Sequence, residues 1–294
     1  MRILNFGSLN IDYVYRLDSF VAPGETKAAS SLAVNAGGKG LNQSIALARA
    51  GGKVSHAGKI GAEGDFLVEA LKAAGVDASL VERSKEATGH AIIQVDDQGR
   101  NCIIIHGGAN RDIDEAYIGR ALSSFGRGDL ILLQNEIASI PLIMRKAHER
   151  GLKIAMNPSP LGPEIDSYPL ELIDIFIMNE IEAAGLSGEA DPERAAAALL
   201  ARRPGARILI TLGSEGALYA DANVKLRRPA QRVKAVDTTA AGDTFTGYFL
   251  AALGEGMDPA AAIELATKAS AICVTRPGAA SSIPARAEVE AARF

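Results

Sequence analysis

The chain has little of what several protein classes require. Only two of its 294 residues are cysteine, Cys102 and Cys273. They are too few for a disulfide framework and too far apart for a C-x-x-C motif, so two reduced thiols in a cytosolic protein is the plain reading. Basic charge is not in excess: 31 Lys and Arg stand against 35 Asp and Glu, a formal net charge of −4. A nucleic-acid binder would carry a basic footprint. No apolar run approaches the ~18 residues of a membrane span, and Met1 to Ser8 has no apolar segment of the signal-peptide kind. Apolar residues at 48% and charged residues at 22% exclude a disordered chain. A soluble, cytoplasmic protein without nucleic-acid or membrane partners is expected.

Familiar catalytic signatures are missing too. Gly38-Lys39, Gly52-Lys53 and Gly58-Lys59 are followed by Gly, Val and Ile, so no G-x-x-x-x-G-K-[ST] phosphate loop exists. There is no G-x-G-x-x-G after the first strand, no G-x-S-x-G elbow, no H-E-x-x-H helix and no H-R-D with D-F-G. His56, His90, His106 and His148 are scattered without metal-ligand spacing. Glycine, by contrast, is plentiful, at 30 residues, about 10% against a usual ~7%.

Short β-branched runs alternate with helical ones. Strands are expected at Ile3 to Ser8, Val54 to Lys59, Leu130 to Gln134, Lys153 to Asn157, Ile175 to Met178 and Arg207 to Thr211. Helices are expected at Gly38 to Ala50, Glu63 to Ala74, Ser139 to Arg150, Pro192 to Ala201, Ala241 to Leu253 and Pro259 to Thr275. That alternation implies an α/β fold, a mainly parallel sheet with helices on both faces. Two regions break it. Residues 11–35 read as short strands about a Pro23-Gly24 turn, and residues 88–106 as a hairpin turning at Asp97-Gln98-Gly99. Paired as a small separate sheet, they would make a lid that excludes water. With no repeat and no linker, one α/β domain with a β lid spans residues 1–294.

The richest stretch is Asp237-Thr238-Thr239-Ala240-Ala241-Gly242-Asp243-Thr244-Phe245-Thr246-Gly247. Small residues run into an apolar helix, so Ala240 to Asp243 should offer unpaired amides at a positive helix end, an anion site. Gly242 lets a phosphate approach, and Asp243 can take a proton from a hydroxyl nucleophile. Taken alone, an aspartate at that place reads as a helix cap before it reads as a base.

Together with Asn35-Ala36-Gly37-Gly38-Lys39-Gly40 and Asn42-Gln43, this string resembles the two signatures of the ribokinase, or PfkB, family of sugar kinases. The resemblance runs from Gly7 to Ser282 and implies a ribokinase-like three-layer α/β/α sandwich with a β-sheet lid. It implies phosphoryl transfer from ATP to a primary hydroxyl of a sugar, ribose before another pentose, a hexose or a nucleoside. A sugar-binding regulator without catalysis is the rival from another class, and the intact Gly242-Asp243 pair argues against it.

Residue by residue, the resemblance assigns Asn10, Asp12, Gly38, Lys39, Asn42 and Glu136 to the sugar. Asp243 falls to the hydroxyl proton, and Ala240, Ala241 and Gly242 to the transferring group. Taken alone, Asp12 reads equally as a turn residue and Glu136 as solvated. Asn179 and Glu182 match an N-x-x-E element that would hold Mg²⁺ through water, though such spacing by itself marks an exposed helix start. Thr211, Gly213 and Gly216 match a nucleotide-phosphate loop that reads as well as a plain hairpin turn. Asp237, Thr239, Cys273, Arg276, Gly278 and Ser282 fall where ribokinases hold K⁺, mostly through backbone oxygens. Two positions depart from the family pattern. Thr267 stands where an adenine-contacting Asn is common, and His90 where the lid usually has an apolar residue. A homodimer with paired lids is also implied.

Overall fold

A computed structural model describes residues 1–294. Strand β1 (Arg2–Phe6) leads into an antiparallel pair, β2 (Asn10–Arg16) and β3 (Ser31–Gly37), and then helix α1 (Lys39–Arg49). Next come β4 (Lys53–Ile60), α2 (Asp65–Ala73), β5 (Asp77–Arg83), β6 (Gly89–Val95), β7 (Asn101–His106) and α3 (Glu115–Leu122). The middle of the chain supplies β8 (Leu130–Gln134), α4 (Ile140–Glu149), β9 (Lys153–Asn157), β10 (Ile175–Asn179), α5 (Glu180–Ser187) and α6 (Pro192–Arg202). Three more strands, β11 (Arg207–Thr211), β12 (Ala217–Ala220) and β13 (Lys225–Arg228), precede α7 (Ala241–Gly254), α8 (Pro259–Val274) and the short α9 (Arg286–Ala291).

The nine-stranded sheet has the order β13-β12-β11-β10-β9-β8-β1-β4-β5. Pairings from β5 across to β11 are parallel, and β12 and β13 add on antiparallel. Parallel strands lie covered on both faces, which is why β8 reads Leu-Ile-Leu-Leu-Gln with every residue buried. One apolar core, with Leu41, Phe249 and Ile263, fills the α1, α7 and α8 side of the sheet. A second, with Tyr117, Ile143 and Leu199, fills the α3, α4 and α6 side. The result is the expected α/β/α sandwich.

From β1 the chain winds through β4 to β5 in one direction, and from β8 through β9 and β10 to β11 in the other. The topological switch therefore falls between β1 and β8, and open α/β sheets bind ligands beyond the strand ends at such a point. Close helix packing frames that crevice. A Cβ on Gly40 would lie 2.3 Å from the Ser8 nitrogen, so glycine alone lets α1 start against the end of β1. A Cβ on Gly247 would sit 2.4 Å from that of Ala46, so glycine likewise brings α7 against α1.

The two irregular regions join as a four-stranded sheet, β3-β2-β6-β7, separate from the large one. Asn10 pairs with Gly89 and Asp12 with Ala91, whereas Ile11 pairs with His90. Because side chains alternate along a strand, His90 faces away from Asn10 and Asp12. It stacks edge-on against Tyr13 and lies beside His106, so it does not enter the pocket that Asp12 faces. Strands β5, β12 and β13 and helices α3 and α9 were not among the sequence expectations. Both sheet-edge strands are rich in charge, Asp-Ala-Ser-Leu-Val-Glu-Arg in β5 and Lys-Leu-Arg-Arg in β13, and carry little apolar periodicity. No helix is long and apolar enough to cross a membrane.

Candidate active site

At the switch point, β1 ends in Gly7-Ser8 and β8 runs into Asn135-Glu136. Glu136 is half-buried and bonded within the chain rather than freely solvated. Its Oε2 accepts from the Ser8 hydroxyl at 2.5 Å and from the Lys39 amide at 2.9 Å. Burial pushes its carboxyl up, against the opposing pull of Lys39 and of those bonds. Burial would by itself lower the Lys39 ammonium, but Asp243, Glu136 and Glu182 around it hold it above its ordinary value. The first amides of α1 are all engaged: Gly40 N–H donates to Ser8 Oγ at 3.1 Å and Leu41 N–H to the Ser8 carbonyl at 3.0 Å.

From the lid, Asn10 and Asp12 face the same crevice. Asn10 Oδ1 accepts from Asn110 Nδ2 at 2.7 Å, which fixes the amide. The Asp12 carboxylate lies over Gly37, whose added Cβ would meet Oδ2 at 2.0 Å, so Gly37 makes room for it. Burial, then the charge of Glu136, raises the Asp12 carboxyl to about 7, with no hydrogen bond to offset them. Asp12 is thus a β2 residue rather than a turn residue.

Helix α7 begins differently. Its N-cap, Ala240, is a non-glycine residue at φ 59°, a conformation costing about 1–3 kcal/mol and found where a site is held in shape. No side chain caps the helix. The amides of Gly242 and Asp243 have no partner in the chain, and a Cβ on Gly242 would meet only open space. Asp243 is not a cap. Its Oδ1 accepts from Gln43 Nε2 at 2.8 Å and its Oδ2 from Asn42 Nδ2 at 3.1 Å, both on α1. A carboxylate therefore sits beside two free amides at a positive helix end.

Two cavities meet at Gly242. The first, of about 240 Å³, takes Lys39, Asn179, Glu182, Thr211, Ala240 and Asp243 into its wall. The second, of about 320 Å³, is walled by Gly213, Gly216, Phe245, Thr267 and neighbours. Thr211, Gly213 and Gly216 do form a hairpin turn between β11 and β12, and the same turn borders that cavity. Thr267 Oγ1 is buried there without a partner. Asn179 caps α5: its Oδ1 accepts from the Glu182 amide at 2.8 Å, and Glu182 Oε2 accepts from the Asn179 amide at 3.0 Å. Within this helix start Glu182 is buried, at 6% accessible, while Glu180 and Ile181 stay exposed.

The remaining cluster also converges. Asp237 Oδ1 takes the Thr239 amide at 2.9 Å, and its Oδ2 the Gly278 amide at 2.9 Å, tying the loop before α7 to the loop after α8. Cys273 Sγ contacts Ser282 Oγ at 3.0 Å, while the Arg276 side chain turns away to Glu288, leaving only its backbone for the cluster. Sequence reasoning had no role for Ser8, Asn110 or Gln43, which hold Glu136, Asn10 and Asp243. Ser8 and Gln43 are polar residues with no solvent exposure, a mismatch with their surroundings that marks a built site.

Comparison with known proteins points the same way. Residues 2–286 match the pfkB family of carbohydrate kinases. The ribokinase of Haemophilus influenzae is 36% identical over 96% of this chain and 95% of its own. The solved ribokinase of Thermotoga maritima is 38% identical with a TM-score of 0.88, over 99% of this chain and 98% of that one. Arabidopsis thaliana ribokinase, solved with ribose and ATP, is 29% identical with a TM-score of 0.85, over 98% and 97%. Over nearly its whole length, the chain belongs to the pfkB family of carbohydrate kinases and is an ATP-dependent sugar kinase.

Proposed function

We propose that this kinase transfers the γ-phosphoryl group of ATP to the primary hydroxyl of D-ribose, giving D-ribose 5-phosphate. One observation carries the reading: the unpartnered amides of Gly242 and Asp243 stand beside the Asp243 carboxylate where two cavities meet. The ribokinase relatives, one of them bound to ribose and ATP, support the choice of sugar and donor.

Asn10, Asp12, Gly38, Lys39, Asn42 and Glu136 orient the sugar in the crevice between the lid and α1. Asp12, with no donor of its own, accepts two hydroxyl hydrogen bonds, and a sugar lacking them leaves a buried carboxylate unpaired. Asp243 accepts the proton of the attacking hydroxyl. Gly242 and Asp243 present free backbone amides to the charge on the transferring group, which in a loose transition state is the main catalytic task. Ala240 and Ala241 shape the turn before them, and the Ala241 amide goes to the Thr238 carbonyl at 3.3 Å. Thr211, Gly213, Gly216 and Thr267 line the nucleotide's side, with the Thr267 hydroxyl oxygen buried behind that wall without a partner.

Asn179 and Glu182 fit a hydrated Mg²⁺: one carboxylate oxygen of Glu182 is committed to its cap, and the other can accept from a metal-bound water. Such an ion neutralises charge on the phosphates. The loops tied by Asp237, with Thr239, Cys273, Arg276, Gly278 and Ser282, fit a K⁺ that steadies the start of α7 through backbone oxygens. Closure of the lid excludes water from the transfer.

On that lid, Leu32, Val34, Ile103, Ile104 and Ile105 are each about half exposed, and β7 is an open edge; a second copy covering them makes a homodimer. A monomeric mass by light scattering would contradict this. Two unpaired thiols suit a reducing cytoplasm.

Coupled ADP release over a panel of pentoses, hexoses and nucleosides, with and without K⁺, tests the reading. Ribose should give the highest kcat/KM, and Asp243→Ala should lower kcat about 10³-fold, within the range of general-base removal. Turnover on a nucleoside but not on ribose would overturn the substrate, and an undiminished rate in Asp243→Ala would overturn the mechanism.

A further inference from the structure

Behind Asp243 lies a chain of buried amides whose orientation can be followed hydrogen by hydrogen. Asn5, in the middle of β1, donates through Nδ2 to the Gly40 carbonyl at 2.7 Å and to Ser44 Oγ at 2.8 Å. A backbone carbonyl only accepts, so the Asn5 NH₂ group must face α1 and its Oδ1 must face the other way. There it accepts from Gln134 Nε2 at 2.9 Å, and the same nitrogen gives its other hydrogen to Gln43 Oε1 at 2.7 Å. With its oxygen committed to Gln134, Gln43 turns its NH₂ group the opposite way. One hydrogen goes to Asp243 Oδ1 at 2.8 Å and the other to Asn157 Oδ1 at 3.1 Å. Asn157 is itself oriented by a backbone acceptor, donating to the Ile177 carbonyl at 2.8 Å.

Both ends of this chain are therefore anchored on carbonyls that cannot reverse roles. Asn5, Gln43 and Gln134 have no solvent exposure, so a flipped amide finds no bulk water to pair with. Gln134 Oε1 is left without a partner. An orphaned buried acceptor costs about 1–3 kcal/mol, a cost the fold accepts while every hydrogen of Gln134 and Gln43 is used.

We infer that Gln134 and Gln43 form a directional amide relay that holds a hydrogen-bond donor, and never an acceptor, against the carboxylate of Asp243. The relay rests on the reading of Asp243 as the proton acceptor. Neither glutamine touches the reacting atoms; both are positioning residues. They keep the carboxylate aimed and favour its ionised form, since a donor stabilises the charge and an opposing carbonyl would repel it.

Gln134→Glu tests the direction of the relay. A carboxylate at that position has no hydrogen for Gln43 Oε1, so Gln43 reverses, turns its NH₂ group to the new acceptor and presents its carbonyl to Asp243. The acidic limb of the kcat–pH profile should then move up by about one unit, so that kcat falls about tenfold on the acid side of the limb and little above it, with the sugar KM within about threefold. Gln43→Met, of similar length and without a donor, should shift the same limb upward and serves if the first variant does not fold. In Gln134→Met, Gln43 still finds acceptors only in Asn157 and Asp243, so the limb should stay near that of the parent enzyme.

A limb unmoved in folded Gln134→Glu and Gln43→Met would overturn the relay, as would kcat and KM changing together with the limb fixed, the mark of a purely structural role. Assaying Asp243→Ala alongside separates the two readings. If it is inactive while the limb is unmoved, only the relay fails; if it is fully active, the proposed mechanism fails first.

Discussion

Helices α1 and α7 lie side by side, and both begin at a residue of positive φ, Gly38 at 93° and Ala240 at 59°, with no side-chain cap. Their starts are nonetheless opposite in character. At α1 the protein fills its own anion site: Glu136 takes the Lys39 amide, and Ser8 takes those of Gly40 and Leu41. At α7 the amides of Gly242 and Asp243 stay free. On the proposed function, a helix start satisfied from within fixes the floor of the sugar pocket, and one left open is available to an incoming phosphoryl group. The same backbone device thus serves as scaffold at one end of the crevice and as ligand site at the other.

Adding one methyl group to each start should expose that difference most strongly. In Gly40→Ala the Cβ meets backbone at 2.3 Å, which neither β1 nor α1 can yield, so loss of the folded enzyme is expected, read as loss of a cooperative melting transition. Gly242→Ala meets nothing in the protein. Alanine favours a helix over glycine by about 1 kcal/mol, so the melting temperature should hold or rise while kcat falls about 10²-fold because the methyl occupies the phosphoryl space. Equal loss of fold in both variants would erase the contrast.

A smaller effect separates the lid from both helices. Asp12 has its carboxyl raised to about 7, first by burial and then by Glu136. As pH falls through 7 the group takes up a proton and ceases to be a double acceptor, so the sugar KM should rise up to about tenfold between pH 8 and pH 6. Stability runs the other way. A carboxyl whose folded value exceeds its unfolded one stabilises the fold at low pH, and that contribution disappears as pH rises through about 7. Asp12→Asn should therefore melt a few degrees higher than the parent at pH 8, with a high KM that no longer depends on pH. A parent KM flat across that range would contradict the assignment.

Much of this was legible in the sequence because it depends on local chemistry. Buried parallel strands such as β8 and β10 are marked by short apolar runs, and the small-residue run before Asp243 marks a helix start. What escaped was set by neighbours distant in the chain. Asn179 and Glu182 could be placed on one helix turn, but their reciprocal capping bonds appear only in the folded α5. His90 was within reach of the pocket by position, and only the register of β6 against β2 turns it to the far face. Gln43 stood in plain view beside Asn42, yet its task depends on Gln134, 91 residues away. Polar residues inside otherwise apolar strands, such as Asn5 and Gln134, were the available signal for that network.

The contrast between the two helix starts is most directly tested by backbone amide NMR of the sugar-bound enzyme as MgADP and aluminium fluoride, a mimic of the transferring phosphoryl group, are added. The Gly242 and Asp243 amides should show the large changes, while those of Lys39, Gly40 and Leu41, already bonded to Glu136 and Ser8, should stay close to their starting positions. Large changes at Gly40 and Leu41 with Gly242 and Asp243 unmoved would contradict the assignment of α7 as the open anion site.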